Sequence, residues 1–587
     1  MVSNFLSMMS RLLNRNESDL TVQDENKYCL MCNSDLNKSD VYQRYKICAT
    51  CGFHYSMSAR DRVNSIVDFK SFKEINRNLV SVDPISFTSS VPYKETLYKD
   101  QKRTGITEAV LTGTCSIDGI LCMIISFDFG FMGGSMGCAV GQKISLAIET
   151  AEKKRLPLLA IISGGGSRVQ EGVLSLMQMA KTTMAVNRHN AKGLPFISVF
   201  SNPSTGQAFA SFANLADITI AEPGAILGYN PIGITQIKDN SPNFDQQTSE
   251  SHLEHGLIDA IASRTELREV VSIILDLLQK EFTLNRTNRS GEISVDDPKK
   301  LAWHSVQLAR HTSRPTSLDY MARMLDNFVE IHGDKQYSDD PAISCGIGQL
   351  GGQTIVVIGQ NRSKDQVSGE VLRILPEGFR KCQRAIKIAK KFNLPIISLI
   401  DTPGANTSLE AENRGLAHSI ATTMSLFADQ KAPTIAVVIG EGGSGGALSL
   451  GIADRVIMLE NAIFSAISPE EAANLIYRDK SRANEAAESL KLTAADCKAL
   501  GIVDVIVLEP DGGAHTDHHE SSRLLKRALL QQLFEVQNNS TRKRLRERYK
   551  KFKNIGEYSS YFRSTVTREL NLLQHSITDR IKGIRRA

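Results

Sequence analysis

The chain has 587 residues, a net charge of +5, and 41% hydrophobic against 23% charged residues. That length exceeds one ordinary core and predicts two large domains with accessories. The composition fits a soluble globular chain, no apolar run is long enough to cross a bilayer, and +5 is too weak a charge to argue for nucleic acid by itself.

Residues 1–24 open with Phe5, Leu6, Met8, Met9, Leu12 and Leu13, a mildly amphipathic pattern that suits a helix docked on the body. No basic segment precedes an apolar core and no small-residue cleavage site follows, so this is not read as a signal peptide. Next come Cys29, Cys32, Cys48 and Cys51, spaced C-x2-C-x15-C-x2-C. Two such knuckles present four thiolates to one ion and predict a tetrahedral zinc ribbon over 25–60. A full sulfur shell leaves no open position, so this metal is expected to be structural, with His54 a bystander. The other six of the 10 cysteines are scattered, which suits a reducing cytoplasm.

The body repeats itself. Ala151–Leu159 recurs as Ala389–Ile397, Pro195 as Pro433, and Ala216-Asp217 as Ala453-Asp454, at offsets of 237–238 residues. In each copy a helix ends in Lys or Arg, and Leu-Pro opens a buried strand: Leu158–Ser163 and Ile396–Asp401. A Gly-rich turn, a helix, a second buried strand (Phe196–Phe200; Thr434–Ile439) and another Gly-rich turn follow. Short apolar strands alternating with helices predict an α/β fold of two tandem parallel βαβ domains. Ligands in such folds sit beyond the C-terminal strand ends, where these turns lie. Lys280–Pro298 reads as a linker and Ala302–Ala322 as a helical lead-in to the second copy. From Thr541 the chain is strongly basic. This is either a solvated helix or a patch for an acidic partner: CoA phosphates, an acyl carrier protein or RNA.

The turns are Phe131–Gly137, Ser163–Arg168 and Ser204–Ala208 in the first copy, and Asp401–Ala405 and Gly440–Gly446 in the second. None has the lysine of a Walker loop, and no Gly-x-Ser-x-Gly sits on a strand–helix turn with a histidine to match, as a nucleophile elbow requires. Glycine between strand and helix lets two main-chain N–H groups point at one oxygen, which is an oxyanion hole suited to an acyl thioester enolate. The other reading is tight helix–strand packing alone.

These motifs, with Ser175–Lys181, Gln307–His311, Pro376–Arg380, Ile467–Glu470 and Gly512–His515, resemble the bacterial acetyl-CoA carboxylase carboxyltransferase, its zinc-ribbon β subunit fused ahead of its α subunit. The resemblance covers nearly the whole chain up to about Tyr558. It implies two crotonase-like domains, an acyl thioester side over 61–285 and a biotin side over 286–558, followed by a basic tail over 559–587. It also implies a homodimer with each active site between the first half of one chain and the second half of the other. Partners would be a biotin carboxylase and a biotin carboxyl carrier protein that delivers carboxybiotin. The oxyanion holes would map to Gly206/Gln207 and Gly442/Gly443. Substrate contacts would come from Gly133, Gly134, Gly165, Gly166, Arg168, Arg380, Gly404 and Ala405. For Arg168 and Arg380, a surface salt bridge is the equal alternative.

Four segments depart from the family pattern. Ser-Gly-Gly-Ala-Arg is here Gly164-Gly-Gly-Ser-Arg168, and a final Gly-Gly is here Gly206-Gln207. Tyr-Pro-Gly after Ala405 is here Asn406-Thr-Ser408, and a Lys-Gly-Arg segment is altered to Asn361-Arg-Ser-Lys364. The expected activity is carboxyl transfer from carboxybiotin to acetyl-CoA, giving malonyl-CoA. Two alternatives stand beside it: a biotin-independent decarboxylase of a malonyl thioester on CoA or acyl carrier protein, and a non-catalytic nucleic-acid-binding homologue.

Overall fold

The computed structural model describes residues 28–87, 91–164, 166–229, 247–279, 301–362 and 371–556. The expected N-terminal helix, the linker and the tail after 558 lie outside the described residues, as does Gly165.

Two eight-stranded sheets carry the duplication. The first contains β1 (Lys73–Ile75), β2 (Val110–Ile117), β3 (Ile120–Phe127), β4 (Leu158–Gly164), β5 (Phe196–Thr205), β6 (Ile218–Ala221), β7 (Leu227–Gly228) and β8 (Ala260–Ile261). Its order is β1-β2-β3-β4-β5-β6-β8, with β7 beside β5. The second contains β9 (Asp326–Ile331), β10 (Ile343–Leu350), β11 (Gln353–Gln360), β12 (Ile396–Thr402), β13 (Thr434–Gly443), β14 (Arg455–Leu459), β15 (Ile463–Ser465) and β16 (Val505–Val507). Its order is the same strand for strand, with β15 beside β13. In each, an antiparallel hairpin feeds a parallel run. The hairpins turn on Asp118-Gly119 and Gly351-Gly352, all at positive φ, as two-residue turns between twisted strands require.

Strands β4 and β12 are buried along their whole length, which is how parallel strands covered on both faces behave. Helices Cys138–Lys154 and Gly172–Ala191 pack in the first half, as Pro376–Phe392 and Leu416–Ala428 do in the second. The repeated Ala-Asp landmark is a clamp. Asp217 accepts the main-chain N–H of Phe196 at 2.9 Å, and Asp454 accepts that of Thr434 at 2.9 Å. Each carboxylate thereby fixes the first residue of the neighbouring strand. Each is balanced by a cation: Lys391 at 2.6 Å from Asp217, Arg548 at 2.8 Å from Asp454. Lys391 belongs to the second half, so its ion pair also joins the halves, and one apolar core runs through both.

Three expectations change. Strands β5 and β13 run through Thr205 and Gly443, beyond the expected ends, because β7 and β15 pair with what read as turns (Thr205 with Gly228, Gly443 with Ser465). The lead-in is two helices, Ala302–Ala309 and Ser317–Met324, broken at Pro315 and restarted by a capping box of Thr316 and Asp319. The basic segment forms a helix, Thr541–Lys553, that is not wholly solvated. Arg544 and Arg548 are buried, while Arg542, Lys543, Arg546, Lys550 and Lys553 face outward.

Candidate active site

The C-terminal ends of β12 and β13 frame a cleft of about 440 Å³ in the second half. Gly404, Ala405, Gly442 and Gly443, all singled out from the sequence, line it together. Close backbone approach explains the glycines. A Cβ on Gly443 would lie 2.4 Å from the carbonyl of Pro403, and one on Gly446 would lie 2.8 Å from the amide nitrogen of Ala405. A Cβ on Gly445 would meet nothing within 4 Å, so that step faces open cleft. Arg373 also lines the cleft, its Nη1 3.7 Å from where a Cβ on Gly404 would sit.

Glu441 stands at the cleft floor between two guanidinium groups. Arg310 donates to it at 2.6 and 3.1 Å, and Arg362 pairs with the same carboxylate. Burial works against its charge, but the two arginines outweigh it and hold the carboxyl below its ordinary range. Glu441 is therefore an ion-paired carboxylate rather than a base poised near neutrality. Behind it, burial pushes Asp401 up to about 6. Its carboxylate accepts the N–H of Glu441 at 2.9 Å.

The same geometry recurs in the first half. Met136 N–H donates to Gly166 O at 2.8 Å, and Ile374 N–H to Gly404 O at 3.3 Å; Arg168 N–H donates to Met136 O at 3.3 Å, and Asn406 N–H to Ile374 O at 2.8 Å. Each bond pair is offset by 238 residues. Gly134 lies so close to β4 that a Cβ there would come within 2.3 Å of Ser163 O, while Gly133 adopts φ +64°. Gly134 and Gly166 therefore hold one loop against another.

The two expected oxyanion pairs do not occupy the same step. The residue opening the one-turn helix after β5 is Gly206 (φ +68°), and the one opening the helix after β13 is Ser444 (φ +56°). Gln207 thus matches Gly445, and Gly442/Gly443 match Ser204/Thr205. Ser444 and Gly445 were read from the sequence only as part of the Gly440–Gly446 turn and not as site residues, and Arg373 was not read at all. Only the strand register, which needs β7 and β15 in place, brings Ser444 and Gly445 into view.

The two arginine expectations come out differently: Arg168 is corrected, and Arg380 makes the salt bridge that was its alternative. Arg168 is fully buried, paired with Glu108 at 2.8 Å and donating to Ser135 O at 2.8 Å. Its charge is spent inside the fold, on neither substrate nor surface. Arg380 donates to Asp334 at 2.7 Å and to Arg414 O at 3.3 Å, and it does not line the cleft.

At the N-terminus the four cysteine sulfurs lie within 4.8 Å of one another. The Cys29–Cys51 and Cys32–Cys48 separations are both 3.6 Å, close to the ~3.8 Å that a tetrahedron with ~2.3 Å Zn–S bonds requires. His54 is outside the cluster, its Nδ1 bonded to Gly52 O at 2.8 Å. Arg264 ties this ribbon to the body. It donates to Tyr45 O at 2.9 Å and Tyr55 O at 2.8 Å, and it pairs with buried Glu222 at 2.8 Å.

Two crotonase-like halves, each with a glycine-lined crossing of loop and strand ends, behind a four-cysteine ribbon define a carboxyltransferase-type enzyme. A family model described as acetyl co-enzyme A carboxylase carboxyltransferase-like matches residues 285–556. The acetyl-coenzyme A carboxylase carboxyl transferase subunits beta/alpha of Clostridium tetani are 39% identical over 562 residues, covering 93% of this chain and 97% of theirs. Those of Natranaerobius thermophilus are 39% identical over 555 residues, 90% and 91% of the two chains. The separate alpha subunit of Staphylococcus aureus is 48% identical over 285 residues, 48% of this chain and 90% of its own. The chain belongs to the acetyl-coenzyme A carboxylase carboxyl transferase beta/alpha family. Among solved structures, the transcarboxylase 12S complex with methylmalonyl-coenzyme A shares the fold, with TM-score 0.63 and 22% identity over 81% of this chain and 89% of that one.

Proposed function

We propose that the chain transfers a carboxyl group from carboxybiotin, presented by a separate carrier protein, to acetyl-CoA. The observation that carries this reading is the duplicated glycine-lined crossing, joined to a family match over 93% of the chain. The first half takes the acyl thioester and the cleft of the second half takes the carboxylated biotin. A volume of about 440 Å³ lies in the range of small-ligand sites. Main-chain N–H groups at Gly206/Gln207 receive the thioester oxygen as the α-carbon loses its proton. Those at the β13–helix junction, Gly442 to Gly445, receive the urea oxygen of biotin. The N–C bond of carboxybiotin breaks, the carboxyl carbon bonds to the α-carbon, and the α-proton passes to the urea nitrogen. No protein base is needed, consistent with the ion-paired state of Glu441.

Zinc is the metal that the four thiolates suit. Its tetrahedral preference and affinity for thiolate match four sulfurs that lie within 4.8 Å of one another. A homodimer would complete each site. The helix Gly172–Ala191 leaves Val173, Leu176, Met177 and Met184 exposed, and Leu475 and Ile476 are exposed in the second half. Biotin carboxylase and the carrier protein are the expected partners and the cytoplasm the expected location. Among the described residues no helix is long and apolar enough to cross a membrane. Forward assay with carboxylated carrier protein and acetyl-CoA tests the proposal: malonyl-CoA is the expected product, and its absence with active partners overturns it.

A further inference from the structure

Gln207 is 5% exposed, yet neither Oε1 nor Nε2 of its carboxamide has a hydrogen-bond partner. Its main-chain carbonyl accepts from Ser211 Oγ at 2.6 Å. A buried amide with both polar ends unpaired is rare and costly, and it points to a partner absent from the protein itself.

The duplication gives the direction of this side chain. Gln207 takes the step after a left-handed residue that opens a one-turn helix, as Gly445 does in the second half. At Gly445 a Cβ would enter open cleft. The Cβ of Gln207 therefore leaves the backbone at the step that, in the other copy, opens on empty cleft.

We infer that Gln207 is a substrate-contacting residue that selects a pantetheinyl thioester carrying a short acyl group; this rests on the assignment of the acyl thioester to the first half. A carboxamide needs a ligand offering an acceptor and a donor close together. A pantetheinyl thioester does so, with its carbonyl oxygen and the amide N–H two methylenes beyond the sulfur. Nε2–H donates to the thioester oxygen beside the main-chain N–H groups, and Oε1 accepts from the amide. The side-chain stem closes the acyl end of the site, so that longer chains collide with it.

Calorimetric binding of acetyl, propionyl and butyryl thioesters tests this, with wild type, Gln207→Leu and Gln207→Gly. Each acyl group is offered on CoA, on acyl carrier protein and on N-acetylcysteamine, which keeps the amide and lacks the nucleotide. Gln207→Leu keeps the bulk and loses both polar ends. It is expected to weaken acetyl binding about tenfold on all three carriers, equivalent to about 1.4 kcal/mol, while still excluding butyryl. Gln207→Gly is expected to raise the butyryl-to-acetyl affinity ratio at least about tenfold. The wild-type preference between CoA and carrier protein names the source of the arm. Wild-type-like binding by Gln207→Leu, with a shifted melting temperature only, assigns a structural role and overturns the inference, as does an unchanged ratio in Gln207→Gly. Failure of the wild type to bind any of the thioesters overturns the assignment of the acyl side as well.

Discussion

Gly206 and Ser444 stand at the same step of two duplicated strands, and both hold the left-handed backbone, at φ +68° and +56°. Glycine adopts that conformation freely, whereas serine bears the strain of its Cβ. Ser444→Gly is expected to stabilise the protein by about 1 kcal/mol, read from denaturant unfolding. No gain in stability would mean that the serine side chain offsets its own strain.

Gly443 and Gly445 make a contrasting pair. Gly443→Ala drives a methyl into the Pro403 carbonyl at 2.4 Å, so the loop carrying Gly404 and Ala405 must move. Carboxyl transfer is expected to fall about 100-fold, within the range for loss of one oxyanion donor. Gly445→Ala meets nothing within 4 Å and should leave the melting temperature unchanged. Equal melting losses in the two variants would contradict the assigned geometry.

Arg373 brings a guanidinium to the cleft that neither composition nor spacing marked. If it holds the carboxylate in transit, Arg373→Ala should raise KM for the carboxylated carrier about tenfold, about 1.4 kcal/mol, with little change in KM for acetyl-CoA. Steady-state kinetics with each substrate varied in turn would show it. An equal rise in both constants would contradict that placement.

Glu222 is held at about 2, because Arg62 and Arg264 outweigh the burial that opposes its charge. A depressed carboxyl contributes stability above its unfolded value near 4.3, and that stability is lost as pH falls toward 2. The loss should amount to a few kcal/mol, since each tenfold change in proton affinity is worth about 1.4 kcal/mol. Unfolding of wild type should steepen between about pH 4.5 and 2, with a flatter dependence in Glu222→Gln. Parallel curves would place the acid sensitivity elsewhere, for example at the ribbon thiolates.

Much of this architecture was legible because the duplication is written in local patterns. Leu-Pro before β4 and Ala-Asp before β6 recur before β12 and β14, where a strand must begin and where a carboxylate must hold the neighbouring strand's first amide. The spacing of the four ribbon cysteines was equally direct. The site was only partly legible. Gly442 and Gly443 read as turn because glycine punctuates turns, yet β15, further along the chain, draws them into a strand. Arg168 read as a surface or substrate cation because its partner Glu108 is 60 residues away and only the fold brings them together. Ser444 read only as one residue of the Gly440–Gly446 turn, since left-handed backbone at a serine follows from its position in the helix junction rather than from its residue type.

The most direct test of the central claim is carboxyl transfer run in reverse. Purified protein is given malonyl-CoA with and without biotin or its carrier protein, and the acyl products are followed by mass spectrometry. Acetyl-CoA that forms only when biotin is present, matched by carboxybiotin, is the predicted result. Acetyl-CoA that forms as fast without biotin would contradict carboxyl transfer and identify a malonyl thioester decarboxylase.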